Sequence, residues 1–475
     1  MKQKIYYFAD FNPEALPALS EARRGRPCSC DVSHMPKSGR LNWVIFITFD
    51  DGVEWVFRSP RSDLLGFYSD ETASKILVSE ASTLMFLKAN TSIPVPEVYS
   101  FSGSSDNDIG VPYIVQSKAP GRSLGSYNWC KDPHEMLGAQ HQPRLPLSDK
   151  DREKVMKQLG AIMSELSDHR FEEIGSLTID ETGIPSIGEC LSPSFTWQER
   201  DSLELDRGPF SEEFDYLDSL VSAFTSHARE LPLTPHVFIA PVPDKLDYKT
   251  MDSYRTAGRR WNDFGFALSH PDLHLGNLYV DDDFNITCVI DWSSTTSGPI
   301  TELLVPPSLG SSNVPASGFL TAAFRTGFEQ QATKAASNIS CSNLWKASEK
   351  MWYFSRLTGL LSKNDYEHFR RLYELAYETN AGEDGSAKGI LWLFHERANQ
   401  DENKRLLAEL EEDDITMEEL QEKERAWFIP SRTANSDAVA VARKLTLMSE
   451  MNPGFLADHR LWQWVEDARK QDIAP

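Results

Sequence analysis

The chain runs to 475 residues, beyond the size at which one hydrophobic core stops growing, so at least two lobes are expected. Forty per cent of its residues are hydrophobic, with 12 Trp and 25 Phe among them, which places it with globular rather than disordered or fibrous proteins. A formal net charge of −23 argues against nucleic acid or an anionic membrane surface as the main partner, because either needs a clustered basic footprint.

The sequence holds no run of about 18 uncharged apolar residues, and its start, Met1-Lys2-Gln3-Lys4-Ile5-Tyr6-Tyr7-Phe8, lacks a signal peptide's apolar stretch. A soluble, cytoplasmic protein is therefore expected. Cys28, Cys30, Cys130, Cys190, Cys288 and Cys341 show no zinc-like pairing of C-x-x-C units and read as reduced, mostly buried thiols. Residues 1–40 carry little periodicity and read as an irregular lead-in.

Order is expected after Gly39. Trp43 to Phe49 is a β-branched and aromatic run, Asp51-Gly52 is a turn signal and Val53 to Arg58 continues extended, which together predict a hairpin. From Ser74 to Ala89, Leu77, Leu84 and Leu87 recur at helical spacing, with Glu80 on the same stripe. A carboxylate among leucines needs a cationic partner or a place at the edge of a cleft. Ile93-Pro94-Val95-Pro96 ends the helix, and extended stretches to Phe101 and from Tyr113 to Val115 complete a small sheet that closes near residue 118.

Beyond a polar loop, Ser148 to Asp151 offers a capping box for a helix with Val155, Leu159, Ile162, Met163 and Leu166 on its apolar face. Further helices are predicted over 352–361, 366–377 and 389–412, and from the capping box at Thr416 to Glu419. The acidic runs 409–414 and 418–424 read as solvated helix surface.

The stretch richest in chemistry is Ser269-His270-Pro271-Asp272-Leu273-His274-Leu275-Gly276-Asn277-Leu278-Tyr279-Val280, followed by Ile286 to Trp292. It predicts a polar loop and a hairpin whose closure at residues 281–283 sets Asn277 and Asp291 at one end, beside Asp272. Asp and Asn oxygens converging on one spot suit a hard cation such as Mg²⁺, which takes few protein ligands and completes its shell with water and phosphate. A further carboxylate can orient an attacking hydroxyl, and phosphoryl transfer asks little else of a protein. His270 and His274 lie in a loop, not at helical spacing, so a zinc pair is disfavoured. Asp281 to Asp283 lacks the spaced ligands of a calcium loop, and Trp292 reads as a packing anchor.

His270-Pro271-Asp272 with Asn277 five positions after the aspartate, then Ile290-Asp291-Trp292, resembles the signature of the aminoglycoside-phosphotransferase and choline-kinase-like family. The resemblance implies an α+β, two-lobed protein-kinase-like fold: a small N-terminal antiparallel sheet with one helix, and a larger, mainly helical C-terminal lobe. It implies ATP and Mg²⁺ as cofactors and a small-molecule hydroxyl as acceptor. Asp272 would act as base with His270 positioning it, and Asn277 and Asp291 would hold the metal. Arg58 stands where the family has its nucleotide-phosphate lysine, and Glu80 matches the helix glutamate that pairs with it. Tyr113 to Arg122 is similar to the interlobe hinge, which implies adenine hydrogen bonds to the Ser117 carbonyl and the Ala119 N–H.

The domains expected on this basis are the lead-in 1–40, an N-lobe 41–118, a C-lobe 119–400 and a helical extension 401–475. Two departures stand out. Arg58 keeps the lysine's charge but presents a planar fork, and Lys37-Ser38-Gly39-Arg40-Leu41-Asn42 has one glycine where a phosphate-covering loop is usually glycine-rich. Asp291 is followed by Trp292, not by Phe-Gly, and no Ala-Pro-Glu follows downstream, which favours small molecules over proteins as acceptors. A catalytically silent pseudokinase, acting as a binding or scaffold protein, is the competing reading.

Overall fold

The computed structural model describes residues 11–30, 37–38, 41–61, 68–129, 144–179, 183–230, 265–310, 314–334 and 342–359, with isolated positions between 368 and 405. The chain divides into two compact units, Met1–Phe224 with Tyr254–Trp352, and Thr225–Ser253 with Tyr353–Pro475. This division falls near 352, whereas the last boundary expected from the sequence lies at 400.

Within the first unit, helix α1 (Ala15–Arg24) and strands β1 (Cys28–Cys30), β2 (Lys37–Ser38), β3 (Asn42–Phe49) and β4 (Glu54–Pro60) come first. Helix α2 (Asp70–Asn90) and strands β5 (Val98–Ser102) and β6 (Tyr113–Ser117) complete the small lobe. The sheet runs β1-β3-β4-β6-β5 with β2 on β3, and every pairing is antiparallel. The predicted hairpin forms with Thr48 opposite Glu54, and Gly52 takes φ +82° at its turn.

The lead-in reading of residues 1–40 is corrected. β3 is apolar on both faces, so each face needs a cover. On one face Ile45, Ile47, Phe49, Trp55, Phe57, Tyr113 and Val115 pack against Phe11 and Leu16, which α1 and the segment before it supply. The fully buried Leu16 alone contributes about 1.5–3 kcal/mol of apolar burial. The helix stops at Gly25, left-handed at φ 72°, whose N–H donates to the Glu21 carbonyl. Arg24 then forks onto Asp51 of the hairpin turn with two contacts of 2.8 Å.

The other face takes α2. This helix starts four residues earlier than its apolar pattern predicts, because Ser69 caps it by accepting from the Thr72 N–H and Asp70 and Glu71 suit the positive end of its dipole. Leu77 and Ala81 pack on Ile114 of the sheet, whereas Leu84 and Leu87 belong to the core of the larger lobe.

That lobe comprises β7 (Arg122–Ser123), α3 (Asp149–Asp168), β8 (Arg170–Phe171), β9 (Ser176–Ile179), β10 (Pro185–Gly188), α4 (Pro193–Thr196), α5 (Glu213–Glu230), β11 (Phe266–Ser269), β12 (Leu278–Val280), β13 (Ile286–Val289), β14 (Thr296–Gly298), α6 (Ile300–Leu303), α7 (Gly318–Lys334) and α8 (Ser342–Thr358). Of these, α5 and α8 run across the boundary into the second unit. The expected Ser148–Asp151 capping box opens α3. α3 lies against α7 so closely that a Cβ at Gly160 would meet the Phe324 carbonyl oxygen at 2.0 Å. Small antiparallel sheets β13-β12-β7 and β14-β11-β8 carry the loops that follow β11 and β13.

The helix expected from 352 begins earlier, as α8 at Ser342, and positions 368, 371, 372, 374 and 375 are helical, as are 401, 404 and 405. The remainder of 389–412, the capping box at Thr416 and the two acidic runs lie outside the described residues or are described only at those positions. Cys28, Cys30, Cys190 and Cys288 are free thiols, the last two buried. Among the described residues, no helix is long and apolar enough to cross a membrane.

Candidate functional site

Arg58 lies near the end of β4, opposite Ile114 of β6, and faces α2. Its Nη1 donates to Glu80 Oε1 at 2.6 Å and its Nη2 to Asp291 Oδ1 at 3.1 Å. The carboxylate predicted to need a cation has one, and the planar fork that distinguishes arginine from lysine is used in full: one guanidinium spans two acids on different elements. The side chains of Arg58 and Glu80 are only 12% and 4% exposed. Burial works against the charge on Arg58, but Glu80 and Asp291 together outweigh it and push its pKa up. Burial raises the Glu80 carboxyl, with Arg58 pulling the other way.

Asp291 follows β13 with φ +63°, a left-handed conformation that a short polar side chain tolerates better than most. Burial opposes its charge, yet Arg58 and Ser293 together hold its carboxyl below the ordinary range. Ser293 Oγ donates to Asp291 Oδ1 at 3.0 Å, so this oxygen takes both the serine and the arginine. Trp292, the next residue, is completely buried; its indole N–H donates to the Val289 carbonyl at 3.0 Å, the expected packing anchor.

The loop after β11 is fastened to the same place. His270 Nε2 lies 3.0 Å from the Ile290 carbonyl, and its Nδ1 accepts from the Asp272 N–H at 3.2 Å. The second bond requires an unprotonated Nδ1, so the ring is neutral and donates through Nε2; burial lowers its pKa in the same sense. Asn277 Nδ2 donates to the Asp272 carbonyl at 2.9 Å, and the Asn277 carbonyl accepts from the Ile290 N–H at 2.9 Å. The bonds to Asp272 from His270 and Asn277 both use its backbone, which leaves its carboxylate half exposed and, among the described residues, near only His274, whose Nε2 is 3.6 Å from Oδ2.

Arg58, Glu80 and Asp291 are thus in direct contact, and His270, Asp272 and Asn277 are linked to them through Ile290 and Asp291. Ser117 and Ala119 stand apart, at the end of β6 and just beyond it, where Ser117 exchanges bonds of 2.8 and 2.9 Å with Glu97. A small cleft is lined by Arg58 and Glu80 together with Asn42, Tyr68, Leu77 and Ser293. Tyr68, Ser293 and His274 were not among the expected site residues. Only Ser293, two positions past Asp291, carried a local signal, since a hydroxyl at that spacing reaches back to the carboxylate.

The donor set fits a hard cation. Among the described residues Asp291 Oδ2 has no protein partner, and Asn277 commits its amide nitrogen to Asp272, which turns its Oδ1 the other way. No cluster of three or more His, Cys, Asp and Glu side chains occurs among the described residues, so an ion here would take two protein oxygens and complete its shell with non-protein ligands, the habit of Mg²⁺. Asp281 accepts from Asn285 and Asp283 as an ordinary exposed turn, not a calcium loop.

Residues 36–303 match the sequence profile of the phosphotransferase enzyme family. A subtelomeric hrmA-associated cluster protein of Aspergillus fumigatus is 31% identical over 189 residues, 38% of this chain and 33% of that protein. The altered inheritance of mitochondria protein 9, mitochondrial, of Yarrowia lipolytica is 28% identical over 299 residues, 55% of this chain and 48% of that one. The matches span between a third and about half of the length of these curated relatives. Among solved structures, a choline kinase from Streptococcus pneumoniae aligns over 77% of this chain and 99% of its own, with TM-score 0.38 and 12% identity.

Proposed function

Because the chain belongs to the phosphotransferase enzyme family, with the two-lobed protein-kinase-like fold, we propose that it moves the γ-phosphoryl group of ATP to a hydroxyl of a small molecule. The observation that carries this reading is the junction at Ile290–Asp291: the arginine–glutamate pair of the small lobe reaches the Asp291 carboxylate, and the His270–Asn277 loop of the large lobe bonds the backbone of Ile290 beside it.

In this reading Asp272 accepts the proton of the attacking hydroxyl. Its carboxylate is free to do so because the loop is held by backbone bonds to His270 and Asn277. Arg58, kept in place by Glu80, holds nucleotide phosphate. Asp291 and Asn277 would hold Mg²⁺, which when bound supplies neutralisation of phosphate charge. Ser117 and Ala119 would offer the carbonyl and N–H that read adenine. The acceptor would enter over the exposed face of Asp272, and its identity follows from the helices and loops around that face.

A second reading, a silent nucleotide-binding or scaffold protein, draws on one contact: Arg58 is engaged with Asp291 itself, the residue the metal would need. The melting temperature with and without Mg-ATP, in wild type and Asp291→Ala, tests both. A ligand at about 100 times its dissociation constant adds roughly 2.7 kcal/mol. A magnesium-dependent rise lost in Asp291→Ala supports the site, and turnover with an alcohol acceptor then separates enzyme from silent binder. No rise with any nucleotide in folded protein defeats the phosphotransfer reading.

A further inference from the structure

Helix α2 carries Glu80, and three groups of the larger lobe grip that helix along its length. The Ser69 N–H donates to Asp201 Oδ2 at 2.7 Å. Nearly two turns on, Lys75 Nζ lies 2.8 Å from Glu189 Oε1. Past Glu80, Ser82 Oγ accepts from the Ile179 N–H at 3.1 Å. All three partners come from residues 179–201, the β9–β10 hairpin and the 3-10 turn Arg200–Ser202 that follows α4. The lysine pair is exposed and contributes little, so the two hydrogen bonds matter most.

The turn that offers Asp201 is itself pinned. Arg200 is buried with Nη1 on the Ser194 carbonyl at 2.8 Å, and Arg207 Nη2 holds the carbonyls of Arg200 and Leu203 at 2.8 and 3.0 Å. The two residues leading into it, Gln198 and Glu199, both take left-handed φ values, 56° and 64°. Side-chain-bearing residues hold such angles only where their surroundings over-determine them. A strained, braced turn that presents a carboxylate to the start of a helix also complements the helix dipole.

The N–H that Asp201 accepts belongs to the peptide joining Tyr68 to Ser69. Asp201 therefore fixes two things at once: the first turn of α2 and the placement of Tyr68, whose ring lines the cleft with Arg58, Glu80 and Ser293. Resting on the phosphotransfer reading, we infer that Asp201 is a positioning residue for the nucleotide-phosphate end of the site: it acts through Tyr68 and α2 on the Arg58–Glu80 pair and so sets the affinity for Mg-ATP.

The test uses the full chain as wild type, Asp201→Ala, Asp201→Asn, Glu80→Gln and the double variant Asp201→Ala/Glu80→Gln. Two quantities are read: amide hydrogen exchange over residues 68–82, and the Kd for Mg-ATP by calorimetry. Asp201→Ala is expected to speed exchange at the start of α2 and to raise Kd by about fivefold, the equivalent of one lost hydrogen bond. Asp201→Asn keeps an acceptor oxygen for the Ser69 N–H and should restore both. In the Glu80→Gln background the alanine change should add little, as expected of residues acting on one element.

Unchanged exchange in Asp201→Ala would overturn the inference. So would faster exchange with unchanged Kd, which would make the contact merely structural, or effects that add in full in the double variant. If wild type binds no Mg-ATP, the phosphotransfer reading falls, and exchange in Asp201→Ala against Asp201→Asn still decides whether Asp201 braces the helix.

Discussion

Replacing Arg58 by methionine keeps most of the side chain's length and removes the only cation that touches Glu80 and Asp291 among the described residues. With Glu80 4% exposed and the two acids left facing each other, the loss belongs in the range for breaking a buried pair, about 3–5 kcal/mol at neutral pH. Its pH dependence is diagnostic. The Glu80 carboxyl is already raised by burial, and without Arg58 it climbs further while its unfolded value stays near the usual 4.3. A group whose folded pKa is raised stabilises fully below its unfolded pKa and loses that contribution as pH rises through its folded pKa. The deficit of Arg58→Met should therefore be small near pH 4–5 and grow by up to about 1.4 kcal/mol per pH unit above it. Urea unfolding at pH 5 and pH 8 measures this, and Arg58→Met/Glu80→Leu should recover most of the loss because an apolar pair needs no counter-charge. A loss below about 1 kcal/mol at pH 8, or an equal loss at both pH values, would refute the buried three-group network.

Other consequences are simpler to read. Gly160→Ala must push α3 and α7 apart, since its Cβ would meet backbone at 2.0 Å, and should cost about 3 kcal/mol or more in urea unfolding. Asp272→Asn should melt within about 0.5 kcal/mol of wild type, because its structural bonds are made by its backbone. It should nevertheless slow phosphoryl transfer by about 10²–10⁴-fold in a single-turnover assay. Glu213, buried at the start of α5, has its carboxyl pushed up to about 7 by burial and then by nearby Glu302. Its contribution is present below about pH 4.3 and lost as pH rises through 7, so Glu213→Gln should stabilise the fold at pH 8 by up to about 3 kcal/mol in urea unfolding and change it little at pH 4.

The centre of the site was legible because its parts are close in sequence. His270, Asp272 and Asn277 share one loop, and Asp291 is one hairpin away, so local pattern alone placed them together. Glu80 announced itself as a carboxylate on a leucine stripe, and the structure supplies its cation. The sequence signals failed where a residue's meaning depends on a distant surface. Helix α1 has a short apolar face that makes sense only against the outer side of the sheet, and the clue was in the cover it provides: the unbroken apolar run of β3, which asks for packing on both sides. Asp201 is 132 residues from the amide it holds, and nothing local marks it. Tyr68 likewise becomes a wall of the cleft only once α2 is in place.

Helix α2 sends Leu77 and Ala81 into the sheet and Leu84 and Leu87 into the core of the large lobe. As a folding matter it is a party wall: neither room stands without it. Heating should not release the small lobe first as a separate melting step, and a fragment ending at the Ser117–Gly121 crossing would keep the wall but leave one of its sides facing water. Damage to Leu84, which faces the other core, should then be felt at Arg58, because the helix that loses its footing in one core carries the glutamate that serves the other.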